Sequence, residues 1–251
     1  MTERDEVERL QARFISMITH ELRSPINTIN GYLDLALEGI AGELNQEQRE
    51  FIQRARAGSE HLYALIEDLL FIARADAGQL RLNREIVRLS EIVEHAIEEL
   101  ELIATDNDIS LVVDIPHDFP ELYADAIRMQ HVMRNLIHNA LRFTQPGGSV
   151  TIDACASNTA IEMTATKNDQ QVQIQIRDTG YGIAPEYQER IFERFYQIPA
   201  AHAERSGGQG LGLTVAKMII ELHGGQIFVK SSPGTGSIFM FTLPIYASNL
   251  T

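Results

Sequence analysis

The sequence predicts an α+β protein: a helical hairpin that dimerises as a four-helix bundle, followed by an α/β sandwich with a mixed sheet. Two observations carry this prediction. The first 80 residues hold two long stretches in which apolar residues recur every three or four positions. After Leu80, strand-like and helix-like segments alternate. We therefore place two domains, at residues 1–80 and 81–251.

The two amphipathic stretches define the hairpin. Pro25 should bend the first helix, and Glu38-Gly39 should end it before a turn at Gly42. The apolar stripe of this first helix is Val7, Leu10, Phe14, Ile18, Leu22, Ile26, Ile29, Leu33 and Ala36. Asn45, with Gln48 three residues on, predicts a capping box at the start of the second helix, and Gly78 should close it. The second stripe is Phe51, Ala55, Gly58, Leu62, Leu65, Leu69 and Ile72.

The apolar stripes favour a homodimer. Two helices cannot bury two such stripes well, whereas two hairpins paired as a four-helix bundle can. The alternative is that the hairpin packs on the rest of its own chain. The long, regular seam of the second helix favours the dimer.

Composition excludes several classes of function. The formal charge of -14 opposes binding to nucleic acid phosphates or to an anionic membrane surface. No segment reaches the roughly 20 apolar residues of a membrane helix, and the single Cys155 allows no intramolecular disulfide. These features predict a cytoplasmic protein, or the soluble core of a larger, membrane-attached one.

The second region combines strands and helices, which indicates a helix layer on one face of a mixed sheet. The predicted helices are Ser90 to Leu102 (capped by Ser90), Asp125 to Phe143 and Thr214 to Leu222. The predicted strands are Ile109 to Asp114, Leu122 to Ala124, Val150 to Ala154, Val172 to Ile176, Ile227 to Lys230 and Ser237 to Leu243.

His20 is the first candidate for chemistry. It lies two residues from both Ile18 and Leu22, about 200° around the helix, so it should be exposed. A lone exposed histidine usually does nothing. This one is followed by Glu21, and a neutral imidazole nitrogen is a nucleophile whose ring proton a neighbouring carboxylate can accept.

Three further elements could bind a nucleotide, although each alone also fits an ordinary surface. Asn135, Asn139 and Arg142 share a helix face and could hold a magnesium ion and the phosphates it bridges. Asp178 ends a strand before a glycine turn and could accept a hydrogen bond from adenine. The glycine-rich run 207–213 leads into a helix N-terminus, as a phosphate cradle does.

The glycine-rich run fits neither a Walker loop, because no Gly-Lys-Ser/Thr follows, nor a convincing dinucleotide fingerprint. Between Asp178 and this run lie the aromatic residues of 192–196 and a loose polar stretch. Together they suit a lid over a nucleotide, from which Arg205 or His202 could reach a phosphate. The aromatic residues could equally pack in the core.

In this order and spacing, the elements resemble the histidine kinase family over nearly the whole chain. His20 to Pro25 resembles its phosphoacceptor box, and Asn135 to Thr144 its asparagine box. The remaining boxes match Asp178 to Ile183, Phe192 to Tyr196, Gly208 to Leu213 and Gly234 to Ser237. The resemblance implies a dimerisation and phosphotransfer domain at 1–80, then a Bergerat-type ATP-binding domain at 81–251.

The resemblance also implies roles for single residues. His20 is the phosphoacceptor and Glu21 the base; Asn139 is the ligand of Mg²⁺, and Asn135 bonds nearby phosphate or solvent. Asp178 recognises the adenine of ATP. The other positions of the nucleotide site are Arg142, Phe143, Gly180, Gly182, Ile183, Tyr196, Arg205, Gly208, Gly210, Leu211, Gly212 and Leu213.

The chain departs from the family pattern in three places. Ser24 stands where the family usually has Thr or Asn, at a position associated with removing phosphate from the partner regulator. Arg142 replaces a common lysine and keeps its charge. The run from Cys155 to Gln171 is longer than usual, and we interpret it as an extended hairpin or loop without an assigned role.

The expected function is autophosphorylation of His20 with ATP and transfer of the phosphoryl group to an aspartate on a response regulator receiver domain. Two alternatives remain open: a scaffold that binds ATP or a regulator without useful catalysis, and an ATPase akin to gyrase or mismatch-repair proteins. The nineteen residues before His20 are too few for a sensor domain. We therefore expect either that this chain is the core of a longer protein with an upstream sensor domain, or that the sensor is a separate protein.

Overall fold

The computed structural model describes residues 21–40, 42–157, 171–199 and 210–245. The chain divides into two compact units, Met1–Arg81 and Leu82–Thr251. None of the helices in these described ranges is both long enough and apolar enough to cross a membrane. His20, Arg205 and Gly208 lie outside the described residues, as do the predicted start of the first helix and the part of the predicted lid from residue 200 onward.

The first unit is a helical hairpin whose described helices are α1 (21–37) and α2 (Gln46–Asp76). Helix α1 continues through Pro25. The capping box is present: Gln48 N donates to Asn45 Oδ1 at 2.8 Å, and Asn45 N donates to Gln48 Oε1 at 3.0 Å. Helix α2 ends just before Gly78, whose φ of +64° favours glycine.

Polar pairs join the two helices of the hairpin. Arg23 pairs with Glu67, and Arg56 Nε lies 3.1 Å from Asp34 Oδ1. Many members of the predicted stripes are instead exposed in the single chain. The exposed large apolar side chains of the hairpin are Leu22, Ile29, Tyr32, Leu35, Ile40, Phe51, Leu62 and Leu69.

The second unit contains a five-stranded sheet in the order β2-β4-β5-β7-β6. Its strands are β2 (Ser110–Asp114), β4 (Ser149–Ser157), β5 (Gln171–Asp178), β6 (Ile227–Ser231) and β7 (Ser237–Pro244). Strands β2 and β4 are parallel, and the other neighbours are antiparallel, so the sheet is mixed as predicted. A separate antiparallel pair joins β1 (Glu85–Val87) to β3 (Leu122–Ala124).

In the described part of this unit the sheet is accompanied by the α-helices α3 (Leu89–Asp106), α4 (Ala126–Phe143) and α5 (Gly212–Leu222), and by two short 3-10 helices, Pro185–Tyr187 and Arg190–Phe192. The inward residues of α4 are buried, as its period predicted, and so is every second residue of β5 from Val172 to Asp178. Helix α4 packs against β4 and β5, whereas α5 packs against β6 and β7. The core therefore lies between these helices and one face of the sheet.

The structure corrects two local predictions. Helix α3 begins at Leu89, and its N-cap is Arg88 without a side-chain bond, so Ser90 lies inside the first turn and does not cap the helix. Strand β1 was not predicted, because only one of its three residues is buried. Strands β4 and β5 pair as a long hairpin down to Ser157 and Gln171, and the connecting residues 158–170 lie outside the described ranges.

Candidate functional site

Asp178 is a buried carboxylate at the end of β5. Its side chain is only 4% exposed. Two backbone amides donate to Oδ1, from Gly180 at 2.9 Å and from Ser237 at 3.1 Å. Both of these backbone bonds use Oδ1, and neither amide donates to Oδ2.

The environment of Asp178 shifts its titration. Burial raises the pKa of this carboxyl above its usual value, and the hydrogen bonds from Gly180 and Ser237 partly oppose that increase. The folded domain therefore carries an incompletely compensated buried charge at this position. Buried charges of this kind are common at binding sites, where a bound ligand can supply a further hydrogen bond.

Gly180 and Gly182 allow the loop after β5 to approach two other backbone segments. A Cβ atom at Gly180 would lie 2.2 Å from Phe143 O, at the end of α4. A Cβ at Gly182, which also has a φ of +72°, would lie 2.0 Å from Ser232 O. Neither position can hold a larger residue without displacing backbone.

Three site residues were not predicted individually: Ser231, Gly236 and Ser237. The Ser231 hydroxyl accepts from Ile183 N at 2.7 Å and contacts the Ser237 hydroxyl at 3.0 Å. A Cβ at Gly236 would lie 2.0 Å from Asp178 O. Gly236 and Ser237 belong to the run Gly234 to Ser237, whose resemblance to a family box is the sequence signal for them.

The start of the glycine-rich segment contacts the aromatic segment before it. Phe195 N donates to Gly210 O at 3.0 Å, and a Cβ at Gly210 would lie 2.6 Å from Tyr196 O. The Arg190 guanidinium lies 4.2 Å from the centre of the half-buried Tyr196 ring. Phe195 itself is 62% exposed. The aromatic segment 192–196 therefore contacts the first described glycine of the glycine-rich run.

Helix α4 positions Asn135, Asn139 and Arg142, but their surroundings differ. Asn135 Nδ2 donates to Gly212 O at 3.1 Å, so this carboxamide holds the first turn of α5. The sequence had assigned Asn135 to phosphate or solvent. Asn139 is half-buried one turn further along, and the Arg142 guanidinium lies 5.3 Å from the centre of the partly exposed Phe143 ring.

The remaining predicted residues divide between the two units. Leu211 is buried and Leu213 half-buried at the start of α5. In the hairpin, Glu21 and Ser24 are both exposed on α1. Ser24 lines an open surface pocket together with Arg23, Asn27 and Thr28.

The arrangement in the second unit suits a flat heterocycle with a polar edge. It combines a buried carboxylate, glycines that bring backbone close, and a helix N-terminus preceded by glycines. Helix N-termini of this kind bind phosphate groups. The site therefore has the elements needed for a nucleotide, all within one unit.

Two family models match the chain. Residues 124–247 match "Histidine kinase-, DNA gyrase B-, and HSP90-like ATPase", and residues 10–78 match "His Kinase A (phospho-acceptor) domain". The second unit thus contains an ATPase domain of this class, and the hairpin is a phosphoacceptor domain.

Comparison with individual proteins agrees. Sensor protein SrrB of Staphylococcus aureus (strain MRSA252) is 35% identical over 97% of this chain, which spans about 40% of that relative's length. ShkA in complex with AMPPNP is similar over 94% of this chain and 46% of its own, with a TM-score of 0.73 and 27% identity. Acinetobacter baumannii histidine kinase AdeS shares the fold over 90% of this chain and 98% of its own, with a TM-score of 0.61 and 24% identity.

The chain belongs to the sensor histidine kinases of two-component systems. The predicted family and the predicted fold, a helical hairpin followed by an α/β domain with a mixed sheet, are confirmed. The ATPase domain also supports the predicted ligand, ATP.

Proposed function

We propose that this chain phosphorylates its own His20 with ATP and passes the phosphoryl group to an aspartate of a response regulator receiver domain. In the first step a bond forms between an imidazole nitrogen of His20 and the γ-phosphorus, and the bond from that phosphorus to the β–γ bridging oxygen breaks. ADP leaves, and Glu21 accepts the ring proton. In the second step the phosphoryl group moves to the aspartate oxygen, which restores His20.

The observation that carries this proposal is the buried Asp178 carboxylate, held through Oδ1 by the backbone of Gly180 and Ser237. Its second oxygen would accept a hydrogen bond from the adenine amino group. The domain should therefore bind adenine more tightly than a base with a hydrogen-bond acceptor at that edge, because a carboxylate oxygen cannot pair with another acceptor. Gly180 and Gly182 would let the base lie against the backbone.

We propose Asn139 as the protein ligand of Mg²⁺. No group of three or more His, Cys, Asp or Glu side chains that could hold a metal occurs in the described ranges. That fits Mg²⁺, which usually keeps several waters and uses one or two protein ligands together with substrate phosphates. When bound, Mg²⁺ neutralises phosphate charge, and Arg142 would add a positive charge on the same helix face.

Asn135 has a positioning role in this proposal. Its bond to Gly212 O holds the start of α5, where the backbone amides would face the phosphates. Gly210 and Leu211 lie directly before Gly212 in the chain, and Leu213 follows it. We propose that Gly208 and Arg205, which lie outside the described residues, also bind the phosphates, and that Tyr196 contributes to the nucleotide site.

We propose that the hairpin forms a homodimer through its exposed apolar residues. Phe51 is 61% exposed, Leu62 49% and Leu69 50%, and all three lie on the predicted seam of α2. A second hairpin would remove this surface from water, and each Å² of apolar area buried would stabilise the dimer by roughly 25 cal/mol. Leu62→Glu should convert the dimer to a monomer in sedimentation experiments, whereas His61→Gln beside it should not.

Incubation with γ-labelled ATP and Mg²⁺ tests the proposed reaction. Native chain should acquire a label that is labile in acid and stable in alkali, as phosphohistidine is. His20→Gln should acquire none while it still binds ATP. His61→Gln, an exposed histidine of the same hairpin, should be labelled normally. Label that persists in His20→Gln, or phosphate released without any labelled protein, would contradict the proposal.

The same labelled protein tests transfer to the regulator. Addition of a receiver domain should move the label to that domain, and a receiver whose acceptor aspartate is replaced by asparagine should leave it on the kinase. An upstream sensor domain or separate sensor protein would set the rate of the first step. Ser24 carries a hydroxyl four residues after His20 in the sequence. Comparison of Ser24→Ala with Ser24→Thr would show whether that hydroxyl supports removal of phosphate from the regulator.

A further inference from the structure

His223 is a buried histidine that the nucleotide site does not use. It is 2% exposed and lies directly after α5, as the C-cap of that helix. Its Nε2 accepts a hydrogen bond from Asp125 N at 3.0 Å. Because Nε2 is the acceptor, Nδ1 carries the proton and donates to Ile219 O at 2.7 Å. Both ring nitrogens are therefore engaged in one neutral tautomer.

Asp125 extends this cluster to the first residues of the unit. Its carboxylate caps α4 by accepting from Arg128 N at 3.1 Å through Oδ1. Its Oδ2 accepts from Asn83 N at 2.9 Å. The exposed Arg84 donates from Nη2 to Leu222 O, the last carbonyl of α5, at 2.6 Å. We call Asn83, Arg84, Asp125, Leu222 and His223 the linker clamp.

The linker clamp lies where the chain enters the ATPase domain. The hairpin unit ends at Arg81, so Asn83 and Arg84 are the second and third residues of the second unit. Two hydrogen bonds thus fasten the incoming chain, from Asn83 to the Asp125 cap of α4 and from Arg84 to the last carbonyl of α5. Two more hold Asp125 itself, one to His223 and one from Arg128. A purely structural cap would need only the Asp125 bond to Arg128.

The same two helices reach the nucleotide site at other positions. Helix α5 begins at Gly212, whose carbonyl is bound by Asn135 of α4. Helix α4 ends at Phe143, whose carbonyl accepts from Tyr181 N at 3.2 Å in the loop after Asp178. Helix α5 is about 16 Å long. The linker clamp therefore lies at the opposite ends of α4 and α5 from these contacts, where it would not touch a bound nucleotide.

We infer that His223 is a positioning residue that clamps the linker to the ATPase domain, and that phosphoryl transfer to His20 depends on this clamp while nucleotide binding does not. The inference rests on the proposed function for its catalytic part. Burial, together with the nearby Arg84 charge, lowers the pKa of His223, although the Ile219 bond and the Asp125 carboxylate oppose the decrease. The neutral form that the clamp requires is thereby favoured.

The test compares His223→Leu, which removes both ring nitrogens, with His223→Gln, which keeps an acceptor close to the position of Nε2. His95→Ala is the matched control, because His95 Nδ1 also contacts a carbonyl four residues back, Glu91 O at 2.9 Å, but on an exposed face. Three quantities are measured on the full chain: the autophosphorylation rate at saturating ATP, the dissociation constant of a non-hydrolysable ATP analogue, and amide hydrogen exchange at Asn83 and Asp125.

We expect His223→Leu to lower the autophosphorylation rate at least tenfold while the dissociation constant stays within twofold, and to speed exchange at Asn83 and Asp125 at least tenfold. His223→Gln should recover part of both effects, and His95→Ala should match the native chain. Unchanged exchange, or an unchanged autophosphorylation rate, would overturn the inference. Equal losses in rate and in nucleotide affinity would also overturn it, because they indicate only a damaged fold.

Arg84→Ala keeps the inference testable if His223→Leu does not fold. It removes an exposed side chain, so the domain should remain folded while the bond to Leu222 O is lost. A rate at least threefold lower with unchanged nucleotide affinity would support the clamp, and an unchanged rate would overturn it. If the native chain never forms phosphohistidine, the catalytic part fails with the proposed function, whereas hydrogen exchange still decides whether the clamp holds the linker.

Discussion

Asp178→Asn separates nucleotide recognition from folding more cleanly than any other single change in this site. The amide oxygen of asparagine can still accept from Gly180 N and Ser237 N, which are 2.9 and 3.1 Å from Oδ1 in the native protein. The amide nitrogen then replaces Oδ2. It presents N–H donors where the adenine amino group also presents donors, so the proposed bond to the base cannot form.

The magnitude follows from the charge on the native acceptor. A hydrogen bond to a charged group contributes about 1.5–3 kcal/mol, and each 1.4 kcal/mol is a factor of ten in affinity. We therefore expect ATP to bind about tenfold to a hundredfold more weakly. The ligand-free domain should lose no stability, because the change removes a buried charge and keeps both backbone bonds.

The sign of the pH effect can be derived. Since burial raises the pKa of Asp178, the folded state binds more protons than the unfolded state between the two pKa values. The carboxylate therefore costs stability that grows as pH rises from its unfolded pKa, near 3.8, to its folded pKa, and is constant above that. Any stability gain of Asp178→Asn should therefore be complete above the folded pKa and should vanish below the unfolded pKa.

Calorimetric titration with a non-hydrolysable ATP analogue, paired with urea unfolding of the ligand-free chain, measures both quantities. Asp178→Ala is the informative comparison, because it removes the acceptor of both backbone amides and should lose stability as well as affinity. Tight ATP binding by Asp178→Asn would refute the assignment of this carboxylate to adenine. A large loss of stability in Asp178→Asn would refute the claim that its oxygen replaces the native acceptor.

Three other predictions can be tested by unfolding experiments. Gly180→Ala should destabilise the ATPase domain by at least about 2 kcal/mol, because its Cβ would lie 2.2 Å from Phe143 O; Gly31→Ala, with open space around it, should not affect this domain. Asn45→Ala should cost the hairpin about 1 kcal/mol through loss of the capping box. Because the pKa of His223 is lowered from 6.5, stability should fall as pH decreases below that value, by at most about 1.4 kcal/mol per pH unit, and His223→Gln should lack this component.

Local patterns made much of the fold predictable. The spacing of Met129, Val132, Leu136 and Ala140 predicted the buried face of α4, and all four side chains are at most 2% exposed. The capping box at Asn45 involves residues three apart and was equally readable. Both features are set by residues that are close together in the sequence, so both can be predicted from a short segment of it.

Contacts between distant segments were harder to predict. Nothing near Asn135 in the sequence indicates that its carboxamide binds Gly212 O, 77 residues later. The amide of Ser237 reaches Asp178 only because β5 and β7 are neighbours in the sheet, an order that no local pattern specifies. Strand β1 is held by pairing with β3 and has little apolar pattern of its own. Tertiary context decided all three.

The candidate nucleotide site is built largely from backbone, which explains why its glycines were informative. The atoms that would clash with an added Cβ are carbonyl oxygens: Phe143 O at Gly180, Ser232 O at Gly182 and Asp178 O at Gly236. A side chain can move aside for a larger neighbour, whereas these carbonyls belong to the backbone of α4, β5 and the turn after β6 and cannot move without it. Since residues 143 and 232 contribute only backbone oxygens to these contacts, the contacts require glycine at positions 180 and 182 but do not require particular side chains at 143 and 232. A substitution at Ser232 that preserves the backbone should leave nucleotide affinity nearly unchanged, while any residue larger than glycine at position 236 should displace the carbonyl of Asp178 and disturb the carboxylate beside it.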